Sequence, residues 1–329
     1  MIVGADPKQG RGRGVVVSCS YEARRFGVHS GMPISRAYSL IPEAVYIRPD
    51  FVLYGRVSKR VMSLIKTYAD KFEQVSIDEA FLDVSNRVSG SYDSARELSI
   101  SIKTDLEAKE GLFCSIGIAP NKSSSKIASE FQKPDGLTVV RPEELGGFLS
   151  PLPVSSISGV GKKTEEFLNS IGVKTIGDLQ KISGKQLVKY FGKTGVWLWG
   201  VANGLEQIEV KERPMRSLSA EHTFERDVSD KAEVISKMDD LALRLHARVV
   251  TSKVEYRVVG IKIRFSHFQT YTRENTLVFF TNDLETIYRE GRNLFREFEQ
   301  NPRKVRLIGM FVADFRETTK SNLDLVADS

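Results

Sequence analysis

Cysteine and histidine are scarce in this sequence, with two cysteines and four histidines among 329 residues. Cys19 and Cys114 lie in unlike contexts without metal-type spacing, and no two histidines form an HxxxH pair. The pattern therefore argues against a histidine-rich zinc site. So few cysteines are typical of a reduced intracellular protein, and we expect a cytoplasmic location.

Long apolar runs are missing as well. None approaches the ~18 residues of a transmembrane helix, and no signal-type segment follows Met1, so we expect no membrane partner. Hydrophobic residues make up 41% and charged residues 27% of the chain, which is typical of a folded, soluble protein. The formal net charge of +6 is a moderate basic excess, compatible with a polyanionic partner.

The patterning changes along the chain, whose length suits two or three domains. Residues 51–139 read as helix, strand, strand, helix, strand, which predicts a ferredoxin-like domain without its first strand. Residues from 149 to about 205 look all-helical, and an α/β domain is predicted over about 217–317. The fold class is therefore α+β and multidomain. We expect residues 207–216 to be a charged linker and 318–329 a disordered tail.

Two adjacent carboxylates, Asp78 and Glu79, lie within the apolar, strand-forming run Val75–Asp83. Neighbours on a strand point to opposite faces, and a bare buried carboxylate is costly. Either one of the two meets a cation, or the strand breaks into a turn that exposes both. Such a turn is one way to hold Mg²⁺ against a phosphate substrate. An edge strand with one solvated acid explains this run equally well.

Two further features favour DNA as a partner. A helix, a Gly-x-Gly turn and a second helix predict a helix-hairpin-helix, whose N–H groups can bind a phosphate. An ordinary glycine turn in a bundle is its alternative. Within the predicted strand Arg257–Phe265, basic and apolar residues occupy opposite faces, which suits a nucleic-acid backbone as well as a solvated outer face. The candidate DNA-binding residues are Gly159, Gly161, Lys162, Lys163, Lys262 and Arg264.

Ten short motifs appear in one order along nearly the whole chain: Val3–Pro7, Gly10–Val15, Ser20–Gly27, Ser30–Ile34, Val75–Asp83, Gly117–Lys122, Lys126–Ser129, Lys133–Gly136, Ser158–Lys162 and Arg216–Phe224. Together they resemble the Y-family DNA polymerases, the lesion-bypass class. The combination of Ser-Ile-Asp-Glu-Ala with Tyr-Glu-Ala-Arg is highly specific for that family.

The resemblance implies fingers at 1–50, a palm at 51–139, a thumb at 140–206, a linker at 207–216 and a little finger at 217–317. It implies error-prone, template-directed transfer of a deoxynucleotide to a primer 3′-OH, with two Mg²⁺ ions. Primer–template DNA and dNTPs are the implied partners of a monomer. A sliding clamp is a family expectation, although the tail has neither glutamine nor paired aromatics.

The resemblance also implies residue roles. Asp78 matches a metal ligand, and Glu79 matches the carboxylate that binds the catalytic metal and helps to activate the primer hydroxyl. The positions that match triphosphate contacts are Tyr21, Arg24 and Lys133; those that match contacts to the nascent base pair are Val17 and Ser18. Taken singly, Tyr21 and Arg24 could instead be a helix-surface pair, and Lys133 a solvated turn lysine.

One departure from the family pattern concerns the first metal-binding aspartate. The family places it on an acidic strand ahead of everything in this sequence, so we expect two of three metal carboxylates and weakened catalysis in the chain as written. A clipped reading frame and a degenerate polymerase both explain this, and we favour clipping. The function hypotheses are a DNA polymerase, a catalytically impaired primer–template-binding protein, and a helix-hairpin-helix repair nuclease.

Overall fold

The computed structural model describes residues 1–318. These residues form two compact units, one made of Met1–Ile47 together with the chain from Pro214 onward, the other of Arg48–Arg213. We call them unit 1 and unit 2. Within the described residues, no helix is both long and apolar enough to cross a membrane.

Unit 1 begins with a small three-stranded sheet and two short helices. The central strand pairs antiparallel with the second strand and parallel with the third. Gly12 lies in the loop before the second strand, where a Cβ atom would stand 2.0 Å from the carbonyl oxygen of Asp6, so only glycine fits this tight turn. The elements are β1 (Ile2–Gly4), β2 (Val16–Cys19), α1 (Tyr21–Arg25), α2 (Ile34–Leu40) and β3 (Tyr46–Ile47).

Unit 2 opens with the predicted order of helix, strand, strand, helix and strand, followed by a further helix and strand. The strands pair as two separate two-stranded sheets, β4 with β5 antiparallel and β6 with β7 parallel. Among residues 1–318, no strand joins these two pairs. The elements are α3 (Phe51–Lys66), β4 (Lys71–Gln74), β5 (Ala80–Asp83), α4 (Tyr92–Glu110), β6 (Ile116–Ile118), α5 (Lys122–Phe131) and β7 (Leu137–Val139).

The rest of unit 2 is helical, as predicted. Its helices surround an apolar core in which Leu149, Ile157, Leu179 and Leu198 are almost fully buried. Burial of this kind supplies most of the stability of such short helices, which are marginal alone. The helices are α6 (Leu145–Leu149), α7 (Lys162–Ser170), α8 (Ile176–Gln180), α9 (Gly184–Phe191) and α10 (Lys193–Ala202).

The C-terminal part of unit 1 is a four-stranded antiparallel sheet with strand order β10-β9-β11-β8. Two amphipathic helices pack on one face of this sheet and bury Tyr256, Phe265 and Phe295. The elements are β8 (Ser217–Val228), α11 (Lys231–Thr251), β9 (Val254–Phe265), β10 (Thr270–Thr281), α12 (Leu284–Glu299) and β11 (Val305–Glu317). The predicted disordered tail lies outside the described residues, except for Thr318.

Candidate functional site

The adjacent carboxylates lie in the turn between β4 and β5, not on a strand. The backbone N–H groups of Val75 and Ser76 both donate to the carbonyl of Glu79, at 2.9 and 3.2 Å, and close the turn. Asp78 is exposed there, whereas Glu79 is half-buried, with 43% of its side chain exposed. The predicted edge strand is therefore wrong: the strand breaks into a turn, and one of the two carboxylates, Glu79, also meets a cation, Lys126.

Ser76 orients the first of these carboxylates. Its hydroxyl donates to Asp78 Oδ1 at 2.5 Å, and it accepts from the Asp78 backbone N–H at 3.3 Å. Because these bonds are local, the turn holds the Asp78 side chain without help from a distant element.

Glu79 is the first member of a chain of alternating charges that runs onto α5. Lys126 Nζ lies 2.5 Å from Glu79 Oε1 and 2.7 Å from Glu130 Oε1. Lys133 Nζ lies 2.8 Å from the same Glu130 oxygen. Lys126 and Glu130 are one helical turn apart, so they face each other along α5. We call Glu79, Lys126, Glu130 and Lys133 the charge chain.

Burial and pairing act against each other within this chain. Burial of Lys126 opposes its charge, but hydrogen bonds to Glu130 and Glu79 outweigh it and raise the Lys126 pKa. Burial likewise opposes the charge of Glu130, and hydrogen bonds from Lys126 and Lys133 lower its pKa. Lys126 and Glu130 therefore both remain charged at neutral pH.

Glu73, on β4, is a buried carboxylate that the sequence analysis missed. Its side chain is 1% exposed, and it accepts from Lys122 and Arg213, each at 2.5 Å, and from the Lys211 backbone N–H at 3.3 Å. The ammonium of Lys122 also lies 5.0 Å from the Phe81 ring centre. Glu73 thus ties α5 and the residues before Pro214 to the hairpin that carries the carboxylate turn.

The oxygen donors of the turn suit Mg²⁺, a hard cation that prefers carboxylates and water. Within residues 1–318, no group of three or more His, Cys, Asp or Glu side chains is arranged to hold a metal. The turn itself provides two carboxylates, Asp78 and Glu79. It therefore fits a magnesium ion that keeps much of its water shell.

The predicted triphosphate and base-pair residues of unit 1 lie on β2 and α1. The guanidinium of Arg24 stands 5.8 Å from the ring centre of Tyr21, which is 48% exposed. The Ser20 side chain caps α1 and so sets where these residues begin their helix. Val17 and Ser18 on β2 are both exposed. Lys133 belongs to unit 2, where Glu130 holds it.

The predicted Gly-x-Gly turn immediately precedes α7. Gly159 adopts φ +103°, and a Cβ atom there would lie 3.2 Å from the Trp197 ring, so the turn packs closely against α10. Gly161 caps α7 without a side-chain bond, which leaves the first N–H groups of the helix free of a side-chain cap. Lys162 and Lys163 are exposed beside them.

The predicted basic face of β9 has the expected alternation, with Lys262 and Arg264 opposite a buried apolar face. Part of the positive charge of this face is neutralised within the protein, which the prediction did not include. Lys262 Nζ lies 2.9 and 3.1 Å from the oxygens of Glu221 on β8, and Arg264 donates to the Thr270 hydroxyl at 2.8 Å. Glu221 reaches Lys262 across β11, a pairing that the local pattern could not indicate.

Three family models match separate parts of the chain. The impB/mucB/samB family model matches residues 1–130, and the model of that family's C-terminal domain matches residues 215–325. The model described as "DNA polymerase-iota, thumb domain" matches residues 155–206, which include the Gly-x-Gly turn.

Curated relatives match over nearly the full chain. DNA polymerase IV of Methanoculleus marisnigri is 47% identical over 94% of this chain and 86% of the relative. DNA polymerase IV 2 of Methanosarcina mazei is 43% identical over 96% of this chain and 86% of the relative. DNA polymerase IV of Streptococcus thermophilus is 37% identical over 99% and 89%.

Solved Y-family structures share the fold. A chimera of the Y-family polymerases Dbh and Dpo4 aligns with a TM-score of 0.87 at 28% identity, over 95% of this chain and 91% of that chain. An insertion ternary complex of Dbh DNA polymerase aligns with a TM-score of 0.68 at 27% identity, over the same 95% and 91%. These matches confirm the predicted α+β polymerase fold and favour the polymerase hypothesis over the nuclease hypothesis.

Proposed function

This chain belongs to the impB/mucB/samB family of Y-family DNA polymerases, and on that premise we propose that the turn holding Asp78 and Glu79 binds the catalytic Mg²⁺. The protein is a DNA-directed DNA polymerase of the translesion class. Two adjacent carboxylates in one hairpin turn, both of which reach solvent, are the observation that carries the proposal.

In this proposal Asp78 and Glu79 would hold the metal through their carboxylate oxygens. Bound Mg²⁺ would activate the primer hydroxyl and offset the charge that develops on the triphosphate. Ser76 keeps the Asp78 carboxylate in place through its 2.5 Å hydrogen bond. This orientation matters because a small displacement of a catalytic group strongly lowers the reaction rate.

We assign the triphosphate of the incoming dNTP to Tyr21, Arg24 and Lys133. The planar guanidinium of Arg24 can meet two phosphate oxygens at once, whereas Lys133 acts as a point charge. Val17 and Ser18 are short, exposed side chains, and we assign them to the nascent base pair. Their small size would leave room for a distorted template base.

We assign primer–template DNA to the N-terminus of α7 and to the open face of the C-terminal sheet. The Gly159–Gly161 turn, with Lys162 and Lys163, would bind a phosphate through backbone N–H groups and charge. Arg264 would contribute at the sheet, with Lys262 partly neutralised by Glu221. We further propose a cytoplasmic monomer. A sliding clamp stays a family expectation, because the tail lies outside the described residues.

The test is primer extension with Asp78→Asn and Glu79→Gln. Each change keeps the side-chain volume and removes the metal-binding charge. We therefore expect the rate of primer extension to fall about 100-fold or more, at tenfold for each ~1.4 kcal/mol of lost transition-state stabilisation. Glu107→Gln makes the same chemical change at an exposed position of α4 and should extend normally. Variants of the turn that extend primers like wild type would refute the assignment.

A catalytically impaired DNA-binding protein is the second candidate for the chain as written. It is favoured by one observation, namely that residues 1–318 bring no third carboxylate to the turn. The two candidates differ in metal-dependent incorporation, because both bind primer–template DNA. Wild-type chain that binds DNA but adds no nucleotide with Mg²⁺ present would support the second candidate.

A further inference from the structure

We propose that Lys126 is a positioning residue that passes between Glu79 and Glu130, and thereby couples metal binding at the turn to phosphate binding at Lys133. The inference rests on the proposed function, because it takes Glu79 as a metal ligand and Lys133 as a phosphate ligand. What it adds is the link between these two ends, which Lys126 and Glu130 join through consecutive ion pairs.

The burial of Lys126 makes a carboxylate partner necessary. Its side chain is 20% exposed, whereas Glu79 and Glu130 are 43% and 48% exposed. A largely buried ammonium that loses its counter-charge is strongly destabilised. With two carboxylates in reach, Lys126 can release Glu79 to a metal ion and still be neutralised by Glu130. Without Glu130, it would compete with the metal for Glu79.

Glu130 is likewise shared, between the two lysines. A single oxygen, Oε1, accepts from both Lys126 and Lys133, at 2.7 and 2.8 Å. When Lys133 turns to a phosphate, this oxygen is left to Lys126 alone. Lys126 is then held more firmly by Glu130 and less firmly by Glu79, so the turn becomes a better metal site.

The coupling works in both directions. A metal on Glu79 repels the ammonium of Lys126 toward Glu130, where it competes with Lys133 and frees Lys133 for phosphate. Reciprocity of this kind is required whenever one ligand changes the affinity for another. The charge chain therefore favours a state in which both metal and triphosphate are bound over states with only one of them.

The experiment measures Mn²⁺ binding to the full chain by electron paramagnetic resonance, without DNA or nucleotide. Lys126→Met should raise Mn²⁺ affinity about twofold to fivefold, the range that corresponds to a partly exposed ion pair. Glu130→Gln should lower it by a similar factor, because Lys126 then depends on Glu79 alone. Lys126→Arg keeps the charge and should restore an affinity near that of wild type.

A double-mutant cycle separates this coupling from simple long-range charge effects. Glu130→Gln should change Mn²⁺ affinity in wild type but not in the Lys126→Met background. Lys133→Met should raise the affinity in wild type but not in the Glu130→Gln background. Lys59→Met, at an exposed site on α3, removes one positive charge elsewhere in unit 2 and should change nothing. Circular dichroism and thermal unfolding serve as the control that each variant is folded.

Additive effects in both cycles would overturn the coupling, because they would mean that each charge acts on the metal independently. A different outcome concerns the proposed function itself. Glu79→Gln that binds Mn²⁺ as tightly as wild type would show that the metal lies elsewhere, and would refute the metal site rather than the coupling alone.

Discussion

Replacing Glu73 by glutamine should destabilise unit 2 substantially. The change keeps the size of the side chain but removes the charge that neutralises Lys122, whose side chain is 11% exposed. Breaking one partner of a buried ion pair costs roughly 3–5 kcal/mol, because the other charge stays buried. Arg213 is 59% exposed and can return to water, so we expect the lower end, ~3 kcal/mol.

The two tryptophans of the chain make the assay specific. Trp197 and Trp199 both lie on α10 in unit 2, so tryptophan fluorescence during urea unfolding reports on that unit. Replacing both partners, as Glu73→Leu with Lys122→Met, should cost less than Glu73→Gln alone, because no buried charge is left unpaired. A Glu73→Gln variant within ~1 kcal/mol of wild type would refute the reasoning.

The same residue predicts a pH dependence. Burial of Glu73 opposes its charge, but hydrogen bonds from Lys122 and Arg213 outweigh burial and lower its pKa below the ordinary value of 4.5. A lowered pKa in the folded state stabilises the fold above pH ~4.5, and the contribution is lost as the pH falls through the folded-state pKa. Glu73→Gln should lack this acid-dependent loss in urea midpoints measured from neutral to acidic pH.

Three further predictions concern unit 2. Gly159→Val places a branched side chain at φ +103° and 3.2 Å from Trp197, so we expect a loss of about 1–3 kcal/mol by tryptophan fluorescence, with Gly146→Ala, in open space, as control. Asp178, whose pKa is lowered to about 2 by hydrogen bonds from Thr175, should stabilise α8 above pH ~4 and lose this effect toward pH 2; Asp178→Asn should remove that dependence. Lys163→Met should reduce the slope of log affinity for DNA against log salt by about one, while an unchanged slope would exclude a phosphate contact.

The sequence predicted the order of the elements well, because hydrophobic periodicity and caps are local signals. These signals predicted the helix after Asp50, the strands around the carboxylate turn and the alternation of β9. Between a strand and a turn at Asp78 the sequence did not decide. That choice depends on the bonds from Val75 and Ser76 to the Glu79 carbonyl, which form only when β4 and β5 pair.

The charged partners were mostly beyond prediction. Lys126 and Glu130 are four residues apart on one helix, and their pairing could have been inferred from that spacing. The bond from Lys126 to Glu79 spans 47 positions, and the bond from Arg213 to Glu73 spans 140. The pairing of Lys262 with Glu221 reduced the charge of a face that the sequence indicated as basic.

By itself, the sequence determined the family, the succession of helices and strands and the identity of the motif carboxylates, because each is written in contiguous residues. Tertiary structure alone decided that Asp78 and Glu79 lie in a turn, that Glu73 is buried among cations, and that Lys126 is shared between two acids. The physical reason is that charges act through space. Which charges meet is set by how the hairpin, α5 and the residues before Pro214 pack together.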